Sequence, residues 1–249
     1  MSKKTERSAV SPLLIGGAVV ISLVIAVIIG MNLEKGSNDS PGTDSPDPAT
    51  ADGTEDAVDE EQRDWGESMA LREADDPMAL GEEDAPVVMI AYSDFTCPFC
   101  ATWALETQPE LVERYVDSGE LRIEWREFPY LGEPADTLSI GALAAGEQDS
   151  FWEYQEVVFD SQDDLTSASQ PEEELMGIVD DLGLDTDRFA EDLEDQELAE
   201  KVDADFSQGM QIGVSGTPAF IINGDPVMGA QPLDVFVNSI DLALAAAEG

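Results

Sequence analysis

Between Leu13 and Met31 the chain carries 19 residues with Ser22 as the only polar side chain. As a helix this run would span roughly 28 Å, close to the hydrocarbon thickness of a bilayer. It has no polar face, which argues against a core helix. The pattern predicts a transmembrane helix over 13–31. From 32 to 76 large apolar residues become scarce and Asp, Glu, Ser, Pro, Gly and Thr dominate, as in Ser40-Pro41-Gly42-Thr43-Asp44. Such a stretch cannot bury enough surface to offset its ordering entropy, so it reads as a disordered acidic linker.

Beyond Pro77 the pattern is that of a folded domain, 77–249. The continuous apolar run Val87-Val88-Met89-Ile90-Ala91-Tyr92 predicts a strand buried on both faces. Residues 98–116 read as a helix, with a kink expected at Pro109. Leu121 to Arg126 alternates apolar and charged and predicts a second strand. About 136–208 is mainly helical, with one helix starting at Pro171 before Glu172, Glu173 and Glu174 and ending at Gly183. Ala219 to Ile222 and Val227-Met228 flank Asn223-Gly224-Asp225 and predict a hairpin. A helix from about Pro232 to Ala247 closes the chain.

Charge orients and restricts this picture. The chain has 55 acidic residues, 11 basic ones and no histidine, a net charge of −44. Residues 1–12 hold Lys3, Lys4 and Arg7 against Glu6, a net of +2, leaving −46 for the remainder. The positive-inside rule puts 1–12 in the cytoplasm and everything after the helix outside. A cleaved signal peptide is the competing reading, but the run is long for one and no small-x-small site follows it. So acidic a chain argues against nucleic acid as a partner. Without imidazole, Ser-His-Asp and Cys-His catalysis are excluded, and two cysteines complete no zinc site. No metal site and no cofactor are expected.

Those two cysteines form Cys97-Pro98-Phe99-Cys100, directly after the buried strand and at the start of a helix. The free N–H groups and dipole of a helix N-terminus stabilise a thiolate at the first cysteine, the nucleophile of thiol–disulfide exchange. The second, one turn on, is placed to attack a mixed disulfide at the first. A structural disulfide over so short a loop would stabilise little, and haem attachment needs a histidine where Ala101 stands. Redox chemistry is the reading that remains. The acidic clusters at Glu172–Glu174 and Glu191–Glu200 read as solvated helix faces, and Trp103, Trp125 and Trp152 as core or groove residues.

The segment Met78 to Val88, continued by Tyr92-Ser93-Asp94-Phe95-Thr96-Cys97-Pro98-Phe99-Cys100, resembles the DsbA-like thioredoxin-fold oxidoreductases of Gram-positive bacteria. Glu124-Trp125-Arg126-Glu127-Phe128-Pro129, Ala144 to Gln148 with Phe151 to Tyr154, and Gly213-Val214-Ser215-Gly216-Thr217-Pro218 extend the likeness over about 77–245. The resemblance implies an α/β thioredoxin-like fold with an inserted helical domain, acting as a thiol–disulfide oxidoreductase. Cys97 would be the attacking cysteine and Cys100 the resolving one, with Pro98 and Phe99 between them in the active-site loop. Pro218 would match the family's cis-proline, leaving the Thr217 backbone to pair with a client; an ordinary trans proline opening an edge strand is the alternative.

The resemblance also implies exported protein thiols as clients and a quinone-linked membrane partner of the DsbB or vitamin K epoxide reductase type. In one respect the chain departs from strongly oxidising relatives, which have histidine between the cysteines where this chain has Phe99. Asp94 would oppose the thiolate if it pointed inward, and is read instead as a solvated residue at the strand end. A reductase or isomerase kept reduced by a membrane donor, and a non-catalytic client-binding module, remain as alternatives.

Overall fold

The apolar run of the sequence becomes the central strand, β2 (Val87–Ser93), buried along its whole length. The computed structural model describes residues 52–132, 134–169 and 171–247. β2 pairs in parallel with β3 (Leu121–Glu127), from Val87↔Leu121 to Ser93↔Glu127. On its other side lies β4 (Ala219–Ile222), antiparallel, followed by β5 (Asp225–Met228). The short β1 (Ala79–Leu80) closes the other edge against β3, giving the order β1-β3-β2-β4-β5.

A long helical segment connects β2 to β3: α2 (Pro98–Thr102), a π turn over Trp103–Thr107, α3 (Gln108–Leu111) and a second π turn over Val112–Val116. The interruption expected at Pro109 is thus a pair of widened turns. Proline offers no N–H to the carbonyl four residues back, and just before it the Gln108 N–H bonds to the Trp103 carbonyl, five back. Between β3 and β4 come, among the described residues, six helices: α4 (Ala135–Gly146), α5 (Phe151–Asp160), α6 (Gln162–Ser167), α7 (Pro171–Asp181), α8 (Thr186–Asp192) and α9 (Gln196–Ile212). This is the expected helical insertion, running slightly past both predicted ends. The last helix, α10 (Leu233–Ala247), packs Phe236 on Phe220 of β4, with ring centroids 4.9 Å apart. The result is a thioredoxin-like α/β fold carrying a helical insertion.

β3 alternates apolar and charged residues, a pattern that ordinarily leaves one face in water, yet both faces are buried. Its charges are matched internally. Glu124 accepts from Arg122 Nε at 3.0 Å and Arg126 Nη2 at 2.8 Å, and from the Leu71 and Arg72 backbone N–H groups at 2.9 and 2.8 Å. Burial pushes the Glu124 carboxyl up, but the two backbone donors and Arg126 outweigh it and hold the group below its ordinary value.

Those backbone contacts correct the expected linker. Within 32–76, residues Asp52–Met69 form a helix, α1, and 70–72 lie over β3. The anchor is largely electrostatic and conformational, with Met69 and Ala70 packed on the apolar cluster around Val88 and Ile90, so composition concealed it. Arg72 pairs with Glu67 and donates to the Glu83 and Ala85 carbonyls. Gln62 Nε2 donates to the Gly224 carbonyl at 3.1 Å and Asp225 Oδ1 at 2.8 Å. The β4–β5 turn is the expected Asn223-Gly224 pair with both φ positive, and Asn223 Oδ1 accepts from Val88 N. Gly66 and Gly224 let the helix and this turn meet backbone to backbone.

The expected transmembrane segment 13–31, the 1–12 terminus and the first part of the linker lie outside the described residues. Among the described residues, no helix is long and apolar enough to cross a membrane.

A side chain at position 224 would meet the Gln62 carbonyl and adopt a φ that only glycine takes freely. Gly224→Ala is therefore expected to cost about 1–3 kcal/mol. Thermal unfolding should show a lowered midpoint and limited proteolysis faster cleavage within 52–69, with Cys97 alkylation unchanged.

Candidate active site

Leaving β2, the chain makes a tight loop, Asp94 to Thr96, before the helix begins at Pro98. Cys97 is the N-cap residue, extended at φ −86° and ψ 118°, with proline at the first helical position, where a missing N–H costs nothing. Its N–H donates to the Asp94 carbonyl at 3.0 Å, and its own carbonyl accepts from Cys100 N at 3.0 Å and Ala101 N at 3.2 Å. The two thiols are free and differ in access. Cys97 keeps 5% of its surface exposed, Cys100 none.

From the neighbouring strand, β4, comes the loop that precedes it. The Thr217–Pro218 bond is cis, Pro218 is buried, and the Cys97 Sγ–H donates to the Thr217 carbonyl at 3.4 Å. The structure brings together Cys97, Cys100 and Thr217, with Pro218 next in the chain, and leaves Pro98 and Phe99 exposed.

The electrostatics of the pair are asymmetric. The Cys100 S–H beside it lowers the Cys97 thiol, burial opposes this, and the Thr217 side chain and the Cys100 and Phe99 N–H groups lower it further, to about 6. Burial, followed by the neighbouring Cys97 sulfur, raises Cys100 well above the ordinary thiol range. Such a pair holds one accessible thiolate and one protonated reserve thiol. With no histidine between the cysteines, hydrogen bonds at the helix start lower the thiol instead.

Two residues were misread or missed. Asp94, expected to be solvated, is fully buried. It escapes the cost of burial because four N–H or O–H groups meet its carboxylate: Thr96 N and Oγ1, both at 2.7 Å, and Tyr130 N and Leu131 N at 2.8 and 2.9 Å. Gln162, from α6, donates to the Phe95 carbonyl at 2.7 Å and the Cys97 carbonyl at 3.1 Å. No local pattern marks a glutamine 65 residues downstream of Cys97 as part of the site. The insertion also packs Phe159 and Tyr154 on Phe95, at 4.9 and 5.8 Å between centroids, so the cysteine loop is braced from the helical side.

A sheet of this order with two cysteines at a helix start facing a cis-proline loop defines the thioredoxin class. The chain belongs to the thioredoxin family, whose sequence model matches residues 73–242, well over half its length. It is 36% identical over 155 residues to the probable disulfide bond formation protein D of Bacillus anthracis, covering 59% of this chain and 70% of that protein. Alpha-DsbA1 of Wolbachia pipientis superposes with a TM-score of 0.63 at 25% identity, over 68% of this chain and 92% of that one. Oxidised BdbD of Bacillus subtilis gives the same TM-score, 0.63, at 20% identity over the same shares, a likeness of fold. Within the family the chain is a DsbA-like thiol–disulfide oxidoreductase.

Iodoacetamide should alkylate Cys97 with a rate that rises with pH through a midpoint near about 6, the thiolate being the reactive form. Cys100 should stay unmodified in the folded protein. Thr217→Val removes one group that lowers the thiol, so the midpoint should move upward, toward the ordinary value.

Proposed function

We propose that the chain is an extracytoplasmic, membrane-anchored oxidase of protein thiols, working through Cys97 and Cys100. The observation that carries this reading is the stabilised Cys97 thiolate. Its stabilising contacts exist in the reduced state and are lost when the sulfur enters a disulfide, so they favour reduction of the pair and make the disulfide a strong oxidant.

In the reaction, a client thiolate attacks Cys97 Sγ of the oxidised pair. The Cys97–Cys100 bond breaks as the client–Cys97 bond forms, and Cys100 leaves with the electron pair and takes up a proton. A second client thiolate then attacks the client sulfur. The client disulfide forms, and Cys97 departs as the low-pKa thiolate that makes it a good leaving group. Two electrons have passed from client to protein. Reoxidation needs a partner that accepts two electrons, in this proposal a quinone-linked membrane protein of the DsbB or vitamin K epoxide reductase type.

Anchoring rests on the apolar run 13–31 behind Lys3, Lys4 and Arg7, and export of the domain on the same charge bias. Clients are thiols of exported proteins. The name of the Bacillus anthracis relative, a probable disulfide bond formation protein, supports the oxidising direction.

The reduction potential of the Cys97–Cys100 pair tests the direction. A value at or above about −180 mV is expected, whereas one near about −270 mV would make the chain a reductase. Cys97→Ser should abolish oxidative refolding of a reduced test protein. Persistent refolding activity would make the chain a non-catalytic client-binding module.

A further inference from the structure

Ser93 ends β2 on the face of the sheet over which the cysteine helix packs. Side chains alternate along a strand. Val87, Met89 and Ala91 share the apolar cluster that contains Cys100 and Trp103, whereas Val88, Ile90 and Tyr92 belong to a second cluster. Ser93 continues the first set. It is 1% exposed, and Cys100 is wholly buried. Among the described residues, the Ser93 hydroxyl has no hydrogen-bond partner. Glu127, opposite it in register on β3, is engaged through both oxygens, by Trp125 Nε1 and Ser139 Oγ.

A buried hydroxyl without a partner costs stability, and alanine would fill the same place without that cost. An acceptor that forms only during the reaction gives such a hydroxyl a use. A neutral thiol is a weak acceptor, whereas a thiolate draws a charge-assisted hydrogen bond. Both cysteines are free thiols in the structure, a state in which that acceptor is not formed. Burial, and after it the Cys97 sulfur, disfavours a Cys100 anion; the Ser93 hydroxyl and the Asp94 N–H are the groups that favour it.

We propose that Ser93 serves the second sulfur of the exchange: together with the Asp94 N–H, its hydroxyl holds the Cys100 thiolate while the Cys97–Cys100 bond breaks or forms. When an incoming thiolate attacks Cys97 Sγ, that bond breaks, a new bond to Cys97 forms, and the electron pair stays on Cys100 Sγ. The Ser93 O–H turns to this sulfur and donates a hydrogen bond, keeping its own proton. Cys100 then takes up a proton from solvent. In the reverse step Cys100 loses that proton and attacks the mixed disulfide as the thiolate that the same donors hold. The inference rests on the Cys97–Cys100 redox reading and applies to either direction of net transfer. It adds a donor on the strand end for the buried sulfur, where the exposed one relies on the helix start.

Ser93→Ala in the full chain tests this, with glutathione as the probe. Two rates are measured: expulsion of Cys100 when glutathione attacks the oxidised pair, and attack of Cys100 on the isolated Cys97–glutathione mixed disulfide. Both should fall about tenfold, since each passes through the same charged sulfur and loses one donor aimed at it. Their ratio should stay within about twofold, because neither the disulfide nor the neutral thiol uses the hydroxyl. The pH midpoint of Cys97 alkylation should remain near about 6. In a Cys100→Ala background, adding Ser93→Ala should leave the attack of Cys97 on glutathione disulfide as it was. Ser93→Thr keeps the hydroxyl and should restore most of both rates, whereas Ser93→Val, of similar shape without it, should lower both.

Unchanged rates in Ser93→Ala overturn the inference. So does a changed ratio, which would place the hydroxyl on a resting state of the pair. A displaced alkylation midpoint, or a loss that persists in the Cys100→Ala background, overturns it too and would make Ser93 a support for the loop. If Ser93→Ala does not fold, the comparison of Ser93→Thr with Ser93→Val decides, and equal rates in the two refute the inference. Failure of the unaltered protein to react with glutathione would instead refute the redox reading, an outcome separate from these.

Discussion

A strand that carries charge into the interior must find its partners there, and β3 is such a strand. Arg122, Glu124, Arg126 and Glu127 are all buried, and the elements around the sheet are arranged to meet them. Glu124 draws in both neighbouring guanidinium groups and the 71–72 backbone. Glu127 is held by Trp125 Nε1 at 2.8 Å and by Ser139 Oγ, from the insertion, at 2.7 Å, and burial raises its carboxyl well above the ordinary range. Asp205 of α9 accepts from the Glu127 N–H at 3.1 Å, and its carboxyl is pushed up to about 6, chiefly by burial. One strand thus fastens the N-terminal segment, the start of the insertion and its last helix. Breaking such a buried set by removing one partner leaves the others unpaired, a costlier change than removing the whole set.

The cysteine loop follows the same rule of satisfied burial. Asp94, Gln162 and Phe95 tie it to three different parts of the chain, so Cys97 sits on a braced loop although the loop itself is short. Bracing leaves the sulfur free to be tuned by a few hydrogen bonds. That is how a chain without histidine reaches a thiol as acidic as about 6.

The legible parts of this molecule were those encoded by local pattern. The β2 strand, the Asn223-Gly224 hairpin, the C-x-x-C at a helix start and the closing helix all follow from periodicity or turn chemistry within a dozen residues. Pro218 came from resemblance, and its cis bond accords with that expectation. What local pattern could not supply was long-range polar pairing. Asp94 looks like any acid after a strand until Tyr130 and Leu131 arrive from 36 and 37 residues away. The ordered part of the linker is hidden for the same reason, since Glu124 and Gly224, far along the chain, complete its docking beside the two apolar residues Met69 and Ala70. The short β1 has too few residues to announce itself.

Burying Arg122 and Arg126 has a consequence for the solvent around the molecule. A chain with 55 acids and 11 bases places two of its scarce cations where water does not reach, along with the buried acids Asp94, Glu124 and Glu127, so nearly all of its large negative excess stays at the surface. Folding then gathers acidic groups into a smaller volume, and mobile cations must condense around them. Salt screens exposed repulsion but reaches the interior pairs poorly. The counterion cloud is thus a component of the folded state, and ionic strength favours this protein where it would weaken one held together by surface ion pairs.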